Sequence, residues 1–288
     1  MDYRALIQNR KSVRSFTDRQ VPYSEIGKIR DYYRKGVRRL IPHLETQLYF
    51  FGTDARDVLE GAAGYNSFLV GAPQYLVLMT AEHELAQENA GYIMEDLILK
   101  LTDLGLDSCW VTFTSSEDIK FALGIDSDLE VAAIAAFGYG VKATKRLRLN
   151  IKSMSNVDIA AKRHYVEPKR SIYDMVFLNT WGSTHKLDDH IGFFDDMLWE
   201  AFYAASLSPS YLNRQAYGFL IHDGGISLVS RPDAYTTDID GKLSLGIVLH
   251  HFTSVMEERS GKLTWSFGPD SANVSLPEGH SVIATCAL

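Results

Sequence analysis

The sequence predicts an α+β protein built from two related halves. Two long amphipathic helices, near residues 84–104 and 242–258, each occupy the middle of one half of the 288-residue chain. Short apolar runs of strand character flank both helices, so the layout reads as an internal duplication. With 46% hydrophobic and 23% charged residues, the chain has the composition of a globular protein able to bury its own core.

Taken in order, Tyr3, Leu6 and Ile7 share a face and predict a first helix over 3–8. A polar basic turn follows, Asn9-Arg10-Lys11-Ser12-Val13-Arg14-Ser15-Phe16. Ser24 is a suitable N-cap for a helix over 25–40, which Pro42 would stop. Pro73 introduces a buried strand over 75–79. In the helix over 84–104, Ala86, Ala90, Ile93, Met94, Leu97, Ile98, Leu101 and Leu104 recur at three and four, and Gly105 ends it. A strand over 108–113, a helix over 116–123 and a strand over 131–137 complete this half, with Lys142, Lys145, Arg146 and Arg148 beyond Gly138-Tyr139-Gly140. Periodicity is weak over 150–190. The reading divides the chain into a first half (1–155), a connector (156–190) and a second half (191–288). The second half holds a helix over 195–205, a loop over 206–215, and a hairpin of 217–222 and 226–230 turning at Gly224-Gly225. The helix over 242–258 and strands over 262–267 and 281–286 finish the chain.

Several function classes are disfavoured. A net charge of −7 argues against general nucleic-acid binding. No apolar run approaches the ~20 residues needed to span a bilayer. Met1-Asp2-Tyr3-Arg4 does not open an apolar signal segment, so a cytoplasmic location is expected. Cys109 and Cys286 lie in apolar runs and read as reduced, buried thiols. His185 and His190, flanking Asp188 and Asp189, fit no common tetrahedral metal set, and the adjacent His250 and His251 point different ways from a helix. Gly138-Tyr139-Gly140 lacks the further glycine of a dinucleotide fingerprint, and no hydrolase signature is present.

Three segments carry a resemblance. Arg10-Lys11-Ser12-Val13-Arg14-Ser15-Phe16 is similar to the Arg-Arg-Ser-Val-Arg-x-Phe that opens FMN-dependent nitroreductases. Gly105-Leu106-Asp107-Ser108-Cys109-Trp110 resembles their Gly-Leu-Gly-x-Cys-Trp, and Ser208-Pro209-Ser210-Tyr211-Leu212-Asn213-Arg214-Gln215 resembles their Ala-Pro-Ser-x-x-Asn-x-Gln. The order departs from the family, whose third motif normally follows the first within a few tens of residues. Here it appears only in the second half, which lacks the Arg-x-Ser turn. The chain therefore looks like the family homodimer fused into one polypeptide, similar to a tandem subgroup of nitroreductases, with one composite site. A monomer (a pseudo-dimer) or weak oligomer is expected.

The resemblance implies FMN as cofactor. Arg10, Lys11 and Ser12 would hold its phosphate, with Lys145, Arg146 and Arg148 closing the cradle. Arg14 would reach the N1–C2=O edge, where a fixed cation stabilises the reduced ring. Asn66 would lie near the pyrimidine ring, Val111 and Thr112 along the N5 edge, and Pro209, Ser210 and Asn213 across the ring from the second half. Gln215 and Tyr217 are expected to anchor the hairpin instead. The implied activity is ping-pong hydride transfer from NADH or NADPH to a small-molecule acceptor such as a nitroaromatic or quinone. The alternative is a flavin-binding protein without turnover.

Overall fold

The computed structural model describes residues 1–65, 68–141, 146–153, 156–162, 168–183 and 196–287, with 146–153 and 156–162 described by backbone alone. The chain opens with α1 (Tyr3–Asn9), whose first turn is capped by the Asp2 carboxylate on the Ala5 amide. Helix α2 (Tyr23–Lys35) starts directly after Pro22, whose φ of −59° suits a helix start, so Ser24 lies inside the first turn and is not the cap. It ends before the expected Leu40 because its continuation is engaged elsewhere. The amides of Gly36 and Val37 both close on Tyr32 O, the Arg38 amide donates to Asp96, and the Leu40 and Ile41 amides donate to Asn89.

The first sheet contains β1 (Thr46–Phe51), β2 (Gln74–Thr80), β3 (Asp107–Val111) and β4 (Glu130–Gly138), ordered β1-β2-β4-β3 and antiparallel throughout. Between them lie α3 (Asp54–Leu59), α4 (Ala86–Asp103) and α5 (Ser116–Leu123). Strands β5 (Arg146–Ser153) and β6 (Asn156–Lys162) form a separate hairpin. The second sheet runs β10-β11-β9-β8-β7, from β7 (Val176–Leu178), β8 (Tyr217–His222), β9 (Gly225–Ser230), β10 (Trp265–Phe267) and β11 (Ser281–Cys286). Helix α6 (Asp196–Ser206) precedes its hairpin, and α7 (Asp238–Ser260) joins β9 to β10.

Set side by side, β8-β9-β11-β10 repeats β1-β2-β4-β3, and α4 and α7 each lie between the second and third strands of their half in chain order. Strand β7 precedes the second half's own strands, yet pairs parallel with β8 at the sheet edge. The halves meet where α4 crosses α7. A Cβ on Gly91 would stand 2.3 Å from Leu243 O, and one on Gly246 would stand 1.9 Å from Glu88 O, so only glycine permits this backbone approach. A single offset of 155 residues relates Gly91 to Gly246 and Glu88 to Leu243, so the contact is reciprocal, as at a two-fold interface. Packed between its own sheet and α7, α4 is buried on almost every side. Both cysteines are buried and free, and burial pushes the Cys286 thiol up to about 12. Among the described residues, no helix is long and apolar enough to cross a membrane.

Candidate functional site

The basic turn is held as an extended segment between the ends of β3 and β4. Ser12 bridges Ser108, the Val13 amide donates to Ser108 O at 2.8 Å, and Thr17 donates to Tyr139 O at 2.8 Å. The Val141 amide donates to Ser15 O at 2.9 Å, so the chain leaves β4 alongside the turn. Gly140 permits this lacing, because a Cβ there would lie 2.7 Å from Asp107 Oδ2 and 2.9 Å from Val13 Cγ1. Lys11 and Arg14 are exposed and make no ion pair among the described residues. Arg10 differs from them. Its side chain is only 8% exposed and lies inward, with Nε 3.4 Å from Glu95 Oε1 and no hydrogen-bond partner for that nitrogen among the described residues.

On the second half, the loop after α6 contains a 3-10 turn, Tyr211–Asn213, with Leu212, Asn213 and Gln215 all at positive φ (46°, 57° and 46°). Such backbone persists only where neighbours over-determine it. Gln215 donates from Nε2 to Ser206 O and accepts the Arg170 amide, while its own amide donates to Ser210 Oγ. Asn213 donates to Pro168 O at 2.7 Å and accepts Lys169 Nζ at 2.6 Å, and Lys169 also reaches Ser208 O. The Asn213 amide is thus engaged at both ends within the chain, clamping residues 168–169. Pro209 is buried and Ser210 half-buried. A cavity of about 250 Å³ lies beside this loop, lined among others by Ser210, Tyr211, Tyr217, Lys242 and Ser244; no residue of the basic turn lines it.

Between turn and loop, contacts cross from one half to the other. Glu95 accepts Trp110 Nε1 at 2.9 Å and lies 2.9 Å from His251 Nε2; His251 Nδ1 is 3.1 Å from Ala204 O, at the end of α6 just before the loop. Arg10 is therefore linked through Glu95 and His251 to the start of the second-half loop. Nearby, Thr112 donates to the Asp240 carboxylate at 3.0 and 3.1 Å, and Tyr65 meets Tyr211 edge-on at 6.2 Å. Burial pushes the Asp240 carboxyl up, while bonds from Thr237 and Thr112 pull it back.

Arg10, Lys11, Ser12 and Arg14 thus share one turn. Val111 packs into the first sheet's core, and Thr112 sits at the seam with its carbonyl accepting the Gly64 amide. Asn66 and Lys145 lie outside the described residues, as do the side chains of Arg146 and Arg148 on β5 and the set-aside His185 and His190. Sequence reasoning did not single out Glu95, Asp240 or Lys169 and dismissed His251. The available signal was two adjacent acids in the most apolar helix and two adjacent histidines in its counterpart.

Two four-stranded halves packed across a pair of long helices, with a cationic turn in one and a proline loop in the other, define a fused nitroreductase-type α+β protein. The chain belongs to the family described as "Putative TM nitroreductase", whose model matches residues 3–178. A solved structure from Thermotoga maritima MSB8, described as a "putative nitroreductase", has the same fold: it is 18% identical, with 98% of this chain and 93% of that one covered and a TM-score of 0.57. Other matches cover one half of the chain. An FMN-dependent nitroreductase from Clostridium difficile R20291 is 19% identical over 48% of this chain and 87% of its own, at a TM-score of 0.40. A nitroreductase-like protein in complex with FMN from Desulfovibrio desulfuricans is 19% identical over 49% and 88%, at 0.41. No curated protein matches the chain. The turn suits a phosphate: two exposed cations without ion-pair partners among the described residues, a serine hydroxyl, and a buried guanidinium nitrogen without a hydrogen-bond partner.

Proposed function

We propose that this chain is an FMN-dependent oxidoreductase that takes electrons from NADH or NADPH and delivers them, in ping-pong fashion, to a small acceptor of the nitroaromatic or quinone type. The observation that carries this reading is the contact chain from Arg10 through Glu95 and His251 to Ala204, which joins the cationic turn of one half to the proline loop of the other. Lys11 and Ser12 would engage the phosphate end, backed by Arg10, with Lys145, Arg146 and Arg148 closing the cradle, and Arg14 would reach the N1–C2=O edge. Asn66, Val111 and Thr112 would border the ring, and Pro209 and Ser210 would cover it from the second half. Asn213, engaged with Pro168 and Lys169, would stiffen that cover. When bound, FMN would supply the hydride chemistry. The protein's part is to bind, orient and tune, so no side-chain base is required. Because the α4–α7 interface lies within one chain, a monomer is proposed, acting in the cytoplasm without nucleic-acid or membrane partners.

The test is the absorption spectrum and flavin stoichiometry of fresh protein, followed by NADH and NADPH oxidation with a nitro or quinone acceptor. One flavin per chain with acceptor-dependent turnover is expected. A colourless protein that does not take up added FMN would overturn the reading. A yellow protein inert across a broad acceptor panel would reduce it to flavin binding alone.

A further inference from the structure

Adjacent histidines on α7 meet adjacent carboxylates on α4, and the two rings differ in how many nitrogens are engaged. His250 offers only Nε2 to Asp96, at 3.0 Å, and its buried Nδ1 has no partner among the described residues. His251 is engaged at both nitrogens, Nδ1 with Ala204 O and Nε2 with Glu95 Oε1. A carbonyl oxygen cannot donate, so Nδ1 carries a proton. The contact with Glu95 needs a second one, on either the imidazole or the carboxyl. Trp110 Nε1 donates to Glu95 Oε2, and Arg10 Nε lies 3.4 Å from Oε1, an environment built for a carboxylate. Burial raises the Glu95 pKa, but the His251 hydrogen bond and the Arg10 charge outweigh it and hold the group below the usual carboxylate range. Burial, with the His250 and Arg10 charges, acts to hold His251 below the usual imidazole range against the pull of Glu95; it is the two acceptors facing its nitrogens that require the second proton. A neutral ring beside ionised Glu95 would turn a bare nitrogen against an acceptor in a dry interior, which geometry this regular opposes. The remaining groups facing the pair are Tyr217 from β8 and His250 alongside.

We propose that Glu95 and His251 form a positioning pair, with His251 held as imidazolium at neutral pH, that fixes Arg10 of the first half against the start of the Ser208–Asn213 loop of the second. The pair also settles the charge behind the turn. Glu95 alone would cancel Arg10, whereas with the His251 proton the three groups carry one net positive charge, which an approaching phosphate meets. This last consequence rests on the function proposed above; the protonation state does not.

The experiment is imidazole nitrogen NMR of the full-length, 15N-labelled chain, which has nine histidines, with His251 assigned by its loss in His251→Gln. Both His251 nitrogens should give imidazolium-type signals from about pH 6 to pH 8, beyond the range of an ordinary histidine. A neutral tautomer at pH 7 overturns the proposal. Glu95→Gln should abolish the imidazolium signature and weaken binding of added FMN by about tenfold or more. A retained signature or an unchanged Kd overturns the positioning role. Should Glu95→Gln fail to fold, the wild-type spectrum decides alone. A wild-type chain with the imidazolium signature and no affinity for FMN upholds the pair and refutes the flavin function.

Discussion

Asp96–His250 and Glu95–His251 are one contact made twice. The offset that relates Gly91 to Gly246 also carries Glu95 onto His250 and Asp96 onto His251, so the pseudo-two-fold axis between α4 and α7 exchanges the two pairs. Their surroundings have diverged. Asp96 is enclosed by the Tyr3 and Tyr32 hydroxyls and the Arg38 amide, and it fastens α1, α2 and Arg38 onto α4. Glu95 faces Arg10 and Trp110 instead, and its histidine reaches the end of α6. Identical geometry at a symmetric crossing has thus been put to two uses, a closed structural knot and a link to the candidate site. A fused chain permits this, since each half can change without its mate.

The crossing itself carries the largest expected effect. Gly246→Ala would set a methyl 1.9 Å from Glu88 O, and Gly91→Ala one 2.3 Å from Leu243 O. Backbone cannot yield as a side-chain tip can, so each should cost about 3 kcal/mol or more in denaturant unfolding. If the contacts are true mates, the double variant should cost less than the sum, because the first substitution already parts the helices. Tolerance of alanine at either site would break the symmetry argument.

Next in size is the contrast between the two acids. Asp96→Ala removes an acceptor from Tyr3, Tyr32, Arg38 and His250 at once, and should cost about 2–3 kcal/mol of stability. Glu95→Ala strips fewer partners and should cost less stability while weakening flavin uptake more. Equal costs by unfolding and equal flavin affinities would erase the distinction between knot and link.

What the sequence made legible follows from where the information sits. Periodicity marks α4, α5, α6 and the β8–β9 hairpin because each buries a defined face. Strand β1 is half-buried along nearly its whole length, so no alternation betrayed it, and β7 is three residues that pair with the second half's sheet. Helix α7 begins four residues before the expected Lys242, because Thr237 caps it and Asp238 and Asp240 occupy a first turn that reads as loop. The cationic turn was visible as a motif. Glu95 and His251 were not, since a charged residue on a helix ordinarily marks solvent. Their meaning lies in a partner helix far along the chain.

Acid should act on both contacts together. Burial opposes ionisation of Asp96, but His250, the Arg38 amide and Tyr32 outweigh it, so Asp96 and Glu95 are both held below their ordinary range. Unfolded Asp and Glu titrate near about 3.9 and 4.3. The unfolded chain therefore takes up protons first, and the stability these groups confer is complete above about pH 5 and lost as pH falls below it. Denaturation midpoints between about pH 3 and 7 should show this loss, with a shallower slope in Asp96→Asn. An unaltered slope would mean that other carboxylates drive acid unfolding.

The smallest effect tests the crossing where its mates differ in polarity. Glu88 corresponds to Leu243 under the same offset, yet it is 4% exposed with Oε2 lacking a partner among the described residues. Burial pushes its pKa up, and only its own amide, Lys242 and His83 relieve this. A raised carboxyl has the opposite sign from Asp96: the folded form holds the proton more tightly, so its cost is absent below the unfolded pKa and appears as pH rises through the folded one. Glu88→Gln should therefore raise stability at pH 7 by about 1 kcal/mol, and the gain should vanish near about pH 4. A loss at pH 7 would instead assign the Glu88 carboxylate a stabilising partner, Lys242 being the nearest cation on α7 that acts on it, and would make this corner of the crossing a third polar tie between the halves.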